Sequence, residues 1–195
     1  MNWQEYNKYR KEKIEWLDFR KIPISTKKSL ELLLETIPET ARVIEIGAGE
    51  KWLEKELAKK RCIYKSMDID KTFKHDFYSL SSIKGKFDFA VMLSVVEHLS
   101  LEEALAYFSK ISRLSENLIL TTNNPYFPLG FFFDDATHKQ PYTPRTLYAL
   151  LRLSDFKEIE IYRISPSRLN SLKHAISLFT NLDFAPELFV YAKKR

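Results

Sequence analysis

From residue 42 onward, short β-branched runs alternate with amphipathic segments, and each run ends at a turn signal. Arg42-Val43-Ile44-Glu45-Ile46 stops at Gly47, and residues 62–67 form a second apolar run that stops at Asp68. Phe87 to Leu93 is the most hydrophobic run in the middle of the chain and reads as a central parallel strand. Leu118-Ile119-Leu120, residues 156–164 and residues 188–192 read as further strands. The intervening segments carry helix signals. Residues 51–59 form a short helix, and Ser100-Leu101-Glu102-Glu103 is a capping box opening a helix with Leu101, Leu105 and Phe108 on one face. Thr143-Pro144 pairs a capping threonine with proline in the first turn. Ser165-Pro166 opens a helix with Leu169, Leu172, Ile176 and Phe179 on one face. Two helices precede the alternation. Trp3, Tyr6, Ile14 and Leu17 predict one over residues 3–18; Leu30, Leu33, Leu34 and Ile37 predict another, capped at Ser25 or Thr26 and stopped by Pro38. Strands alternating with helices predict a parallel, three-layer α/β sheet, with the two late strands at its edge.

The 195 residues, 45% of them hydrophobic, are enough for one domain with a sizeable core, and no linker divides them. A single cysteine, Cys62, excludes a disulfide scaffold and a Cys-rich zinc site; its apolar setting reads as a buried thiol. The four histidines are scattered without ligand spacing, so no metal site is expected. No run of 18 apolar residues exists to make a spanning helix, and the first residues lack a signal-peptide layout. The expectation is a cytoplasmic protein. A net charge of +5 mildly favours acidic partners but is ordinary for solubility.

The turn after the first strand of the alternation, Glu45-Ile46-Gly47-Ala48-Gly49, lets backbone pass close to a ligand, with a helix N-terminus behind it. In open α/β sheets, ligands bind at such strand ends. Gly49-Glu50-Lys51-Trp52 lacks the Gly-Lys-Ser/Thr ending of a mononucleotide P-loop. Trp52 stands where a dinucleotide turn needs a small residue, and Glu45 and Glu50 suit a cation better than a diphosphate. S-adenosylmethionine carries a sulfonium and an ammonium and no phosphate. Asp68, about twenty residues past the turn, can accept from both hydroxyls of an adenosine ribose, with Asp70 as competitor.

These segments resemble the class I S-adenosylmethionine-dependent methyltransferases over residues 42–164. The resemblance is carried by Val43-Ile44-Glu45-Ile46-Gly47-Ala48-Gly49, Met67-Asp68-Ile69-Asp70, His75-Asp76-Phe77, and the run from Phe87 to Ser94-Val95-Val96-Glu97-His98-Leu99. It implies a Rossmann-like, mostly parallel seven-stranded sheet with an antiparallel edge strand. It also implies a single domain over residues 1–195: N-terminal helices over 1–40, a cofactor-binding half over 42–121 and an acceptor-side half over 122–195. By the same resemblance Glu45 meets the ligand's amino group and Gly47, Ala48 and Gly49 lie along its methionine portion. Asp68 holds the ribose, Ile69 packs on the adenine, Asp76 accepts from the adenine amine with Phe77 alongside, and Ser94 closes the pocket. Lys51 departs from the pattern where the family often has a third glycine, and Asp155-Phe156 replaces the usual Gly-Phe.

Asp135-Ala136-Thr137-His138 followed by Pro141-Tyr142-Thr143-Pro144 resembles a segment of members that modify small molecules, lipids or glycans. Transfer to oxygen needs a base, and His138, oriented by Asp135, is the candidate. Asn123-Asn124-Pro125-Tyr126 resembles an amine-methylating motif but follows the wrong strand, so it reads as a turn. The apolar loop from Tyr126 to Phe133, with four phenylalanines, reads either as packing under the loop or as a lid hinged at Gly130; weak membrane contact is a third reading. The expected function is methyl transfer to a small or lipid-like acceptor, at oxygen. The alternatives are an RNA-binding or RNA-modifying protein, suggested by Lys59-Lys60-Arg61, and a catalytically silent cofactor-binding module.

Overall fold

Val43, Ile44 and Ile46 are buried because their strand lies inside a sheet covered on both faces. A computed structural model describes residues 1–12, 18, 21–128, 133–166, 176 and 183–194. Its strands are β1 (Ile24–Ser25), β2 (Arg42–Ile46), β3 (Ile63–Met67), β4 (Phe87–Leu93), β5 (Ser115–Asn123), β6 (Glu158–Ile164) and β7 (Glu187–Lys193). The helices are α1 (Trp3–Lys11), α2 (Ser29–Thr36), α3 (Trp52–Lys59), α4 (Leu101–Leu114) and α5 (Pro144–Leu153). The sheet order is β1-β6-β7-β5-β4-β2-β3. β2 pairs in parallel with both β3 and β4, so the order reverses there.

Alternation within each strand builds two cores. Ile44, Ile46, Ala90, Met92, Leu118 and Leu120 face Tyr6 of α1, Phe108 of α4 and Leu147 of α5. Val43, Phe89, Val91 and Ile119 face Leu33 of α2 and Leu53 and Leu57 of α3. Each such fully buried leucine contributes about 2 kcal/mol. α1 packs across α5, where Arg152 lies 4.9 Å over the Tyr9 ring and reaches Glu12 at 3.1 Å. The two capping motifs form as expected: Ser100 accepts from Glu103 N with the reciprocal bond in place, and Thr143 accepts from Thr146 N before Pro144.

Several expectations are corrected. The antiparallel strand is not at the edge: β7 lies between β5 and β6 and is antiparallel to both. Leu188, Phe189 and Val190 are all buried, which demands cover on both faces and neighbours on both sides. The edges are instead the two-residue β1 and the half-exposed β3, whose Ile63 and Lys65 face solvent. Residues 24–25, expected near a helix cap, are that seventh strand, and α2 starts later with Lys28 as its N-cap. α1 ends at Lys11; most of residues 13–18, and nearly all of the helix expected after Pro166, lie outside the described residues. Asp155, where the related pattern has glycine, adopts φ 70°, a left-handed conformation that favours glycine. Cys62 is half-buried against the α2–α3 side of the sheet. The basic run is locally engaged: Lys59 pairs with Glu56 at 2.7 Å, Lys60 donates to the Leu34 carbonyl and Arg61 approaches Glu39 at 3.7 Å. Among the described residues no helix is long and apolar enough to cross a membrane.

Candidate active site

The strand reversal beside β2 opens a cavity of about 760 Å³ at the carboxyl ends of β2, β3 and β4. Gly47, Asp68, Ile69 and Ser94 line it from the strand ends, and His98 and Tyr107 line it from the side of α4. The glycine turn is fixed by backbone bonds. Gly47 N and Ala48 N both donate to the Met67 carbonyl, at 2.8 and 3.2 Å, and Lys51 N donates to the Ala48 carbonyl at 2.8 Å. Gly47 has φ 75°, and a Cβ there would sit 2.4 Å from Val95 Cγ2, so both conformation and contact require glycine. Gly49 has φ 45° but a Cβ would meet nothing within 4 Å. Lys51, where the related pattern has glycine, keeps a glycine-like φ of 56° as the N-cap of α3. That conformation costs about 1–2 kcal/mol for a residue with a Cβ.

Asp68 is half-buried at the end of β3. Its Oδ2 accepts from Gly49 N at 2.8 Å and its Oδ1 from Asp70 N at 2.9 Å, which couples the carboxylate to the glycine turn. Each oxygen retains a further lone pair. Asp70 also lines the cavity, but its Oδ1 is taken by the Thr72 amide and hydroxyl, at 2.8 and 2.7 Å; those bonds hold its pKa below the ordinary value. Ile69 is exposed on the cavity lip. Ser94 has φ 51°, and its N–H donates to the Thr121 carbonyl.

Not every anticipated residue reaches the cavity lining. Ala48 and Gly49 stand behind Gly47 in the turn. Asp76 turns to β3. Burial works to raise its pKa, but the 2.7 Å ion pair with Lys65 and hydrogen bonds from Ser66 outweigh that and leave it below the usual carboxylate value. Phe77 is stitched to the end of β3, its carbonyl accepting from Asp68 N at 3.2 Å. Glu45 is 2% exposed and faces α3, accepting from the Tyr64 hydroxyl. Burial pushes its pKa up from 4.5 to about 7 against the opposing Tyr64 hydrogen bond, with Asp68 and Glu54 adding to the rise. The folded chain therefore holds this proton more tightly than the unfolded one. The stabilisation is complete below pH 4.5 and is lost as pH rises through about 7. Denaturant unfolding of wild type is expected to weaken by about 3 kcal/mol more than that of Glu45→Gln across this window; parallel pH profiles would show that Glu45 is not the titrating group.

The histidines are not all scattered. The 3-10 turn Val96–His98 and the loop before α5 are joined where Lys139 N and Gln140 N donate to the Glu97 carbonyl, at 2.8 and 3.3 Å. This brings the His98 and His138 rings to 4.8 Å, with His138 Nε2 3.9 Å from Asp135 Oδ2. His98 and Thr137 line the cavity, whereas His138 and Asp135 stand behind them. Thr137 Oγ1 contacts both Asp135 Oδ1, at 2.6 Å, and His98 Nδ1, at 2.9 Å. Glu97 is buried beneath, accepting from the Thr122 hydroxyl at 3.0 Å; desolvation raises its pKa. Sequence reading missed His98 and Glu97 as site neighbours because their partners lie about forty residues downstream. His75 is buried elsewhere, near Ser66, and His174 is outside the described residues. Asn124 is a turn residue: its amide donates to Asp183 and the Ala185 carbonyl, and its oxygen accepts from Tyr126 N. Gly130 lies outside the described residues, and Phe133 is exposed.

A family model described as a methyltransferase domain matches residues 6–161. Among solved structures, a SAM-dependent methyltransferase from Archaeoglobus fulgidus aligns at 20% identity, covering 85% of this chain and 91% of its own, with a TM-score of 0.69. The 1,6-didemethyltoxoflavin-N1-methyltransferase of Burkholderia thailandensis aligns at 14% identity over 98% of this chain and 89% of its own, with a TM-score of 0.62. Magnesium protoporphyrin IX methyltransferase from Synechocystis PCC 6803 aligns at 17% identity over 86% and 82%, with a TM-score of 0.59. No curated protein sequence matches. The chain belongs to the class I methyltransferase family, enzymes that take their methyl group from S-adenosylmethionine.

Proposed function

We propose that this enzyme methylates an oxygen of a small-molecule, lipid or glycan acceptor, with the cofactor held between the glycine turn and Asp68. The cofactor half of the reading is carried by the coupling of Asp68 to Gly49, which sets a carboxylate with remaining lone pairs against bare backbone, and the oxygen half rests on the His98, Asp135 and His138 cluster at the cavity edge. The cavity wall is also acidic. Asp68, Asp70 and Glu103 line it against one lysine, Lys139, so the wall favours a cation. Gly47 and Ala48 give the turn its close approach, Ile69 offers an apolar lip, and Ser94 caps the far side. Asp76 and Phe77 support the end of β3 from behind, and Glu45 underlies the turn as a buried acid. When bound, S-adenosylmethionine supplies a methyl group already activated by its sulfonium. An acceptor oxygen forms the new C–O bond as the S–C bond breaks, with that electron pair remaining on sulfur. The chain contributes alignment and relief of the acceptor's proton. The second task falls to the cluster of His98, Asp135 and His138, with His98 nearest the cavity.

The test is a panel of hydroxyl, amine and carbon acceptors with carbon-13-labelled methyl donor, read by the product's methyl chemical shift. An O-methyl product is expected. His98→Ala is expected to lower turnover roughly 10²–10⁴-fold, with affinity for S-adenosylhomocysteine nearly unchanged. N-methyl or C-methyl products alone, or full turnover in His98→Ala, would contradict the proposal.

A further inference from the structure

The cluster at the cavity edge has a defined pattern of protons. A carboxylate only accepts, so the Thr137 hydroxyl donates its one proton to Asp135 Oδ1 at 2.6 Å. The 2.9 Å contact between Thr137 Oγ1 and His98 Nδ1 must then run the other way, with the imidazole donating. In the neutral ring this leaves the lone pair on His98 Nε2. An imidazole whose other nitrogen donates to a neighbouring oxygen is in the form that ligates metals, and the Thr137 hydroxyl is the second layer such a ligand needs.

His98, Asp135 and His138 each present one ligand-type atom, and these atoms all lie within 4.8 Å of one another. We infer that these three side chains bind a divalent first-row transition metal ion of the zinc class, and that the ion takes the acceptor's hydroxyl as a further ligand. The second half rests on the oxygen-methylation reading. Two imidazoles and one carboxylate are a mixed nitrogen and oxygen donor set that suits zinc, cobalt or iron better than magnesium or calcium. Three protein ligands also leave a coordination position for substrate. Bonds of about 2.0–2.1 Å place tetrahedral ligand atoms about 3.3 Å apart, so the cluster closes by an ångström or so on binding. The half-exposed Asp135 side chain can supply that movement from its loop.

The surroundings accept the charge. Two neutral imidazoles and one carboxylate leave the ion with a net single positive charge, suited to an oxygen anion. The nearby Lys139 ammonium is paired with Glu103 at 3.0 Å, which offsets its repulsion of a cation. Glu97 lies close enough to feel both histidines. Because His98 and Thr137 line the cavity, an acceptor in it can reach the ion. The ion lowers the hydroxyl's pKa. Its proton leaves to water, and the oxygen keeps the electron pair for attack on carbon. The cluster of the proposed function thus relieves the acceptor of its proton through the ion that it holds.

The untagged, metal-stripped chain titrated with Co²⁺ tests this by calorimetry and visible absorption. Expected are one ion per chain, an absorption band of four- or five-coordinate cobalt, and loss of affinity of roughly 10–100-fold or more in His98→Ala and in Asp135→Ala. S-adenosylhomocysteine affinity should stay the same in Asp135→Ala, whose side chain is not in the cavity lining, and unchanged unfolding midpoints verify the fold of both variants. No stoichiometric binding by wild type, or equal binding by the variants, overturns the site. A chain that binds cobalt as described but not S-adenosylhomocysteine would instead overturn the cofactor assignment and leave the metal site standing.

Discussion

Asp68→Ala is expected to weaken S-adenosylhomocysteine binding roughly 10²–10⁴-fold, measured by calorimetry. Two effects combine. A ribose held through both hydroxyls loses two hydrogen bonds to a charged acceptor, worth about 1.5–3 kcal/mol each. The turn also loses its anchor, because Gly49 N and Asp70 N both donate to this carboxylate. Asp68→Asn separates the two. An asparagine has one acceptor oxygen, so its amide must present N–H to one of two backbone donors. It is expected to fall between wild type and alanine. The unfolding midpoint should drop little in either variant, since Asp68 is only half-buried. Unchanged affinity in both would move the ribose site away from Asp68.

Gly47→Ala is expected to lower the unfolding free energy by about 2–5 kcal/mol, the sum of left-handed backbone strain and overpacking. The new Cβ would stand 2.4 Å from Val95 Cγ2 and 3.3 Å from Cγ1. Val95 packs against the core and is stiff about χ1, so it relieves the contact only by shifting backbone beside Ser94. That shift moves both walls of the cavity, and cofactor affinity should fall with stability. Gly49→Ala is the internal comparison, because its Cβ meets nothing and only the φ of 45° is strained. It is expected to cost about 1–2 kcal/mol. Adding Val95→Ala to Gly47→Ala should recover the overpacking part and leave the backbone part. Equal losses for the two alanine variants, with no recovery in the double variant, would show that the close approach of Val95 is not what fixes glycine at position 47.

The parts of this fold that could be read from sequence are those whose causes are local. The β-branched run ending at Gly47, the Ser100 capping box and Thr143 before Pro144 each carry their determinants within a few residues. The place of Asp68 at a strand end was legible because an apolar run stopped at it. The parts that were not legible depend on pairing across the chain. Nothing in Ile24–Ser25 marks a two-residue strand until β6 is there to pair with it. The interior place of β7 depends on which neighbours flank it, although its apolar residues on both faces could have argued against an edge. Likewise, His98 and His138 look unrelated at forty residues' separation, and the Glu97 carbonyl joins them only once the loop before α5 has docked. The resemblance put Glu45 and Asp76 against the ligand. In the fold their first partners are Tyr64 and Lys65, because alternation along β2 turns Glu45 toward α3 and the end of β3 claims Asp76.

Crystals of the wild-type chain grown with S-adenosylhomocysteine are expected to show, by diffraction, ribose hydroxyls within hydrogen-bonding distance of Asp68 and the amino-acid portion running along Gly47 to Gly49. Crystals that bind the compound elsewhere, or a strand-end cavity that takes a diphosphate in its place, would contradict that placement.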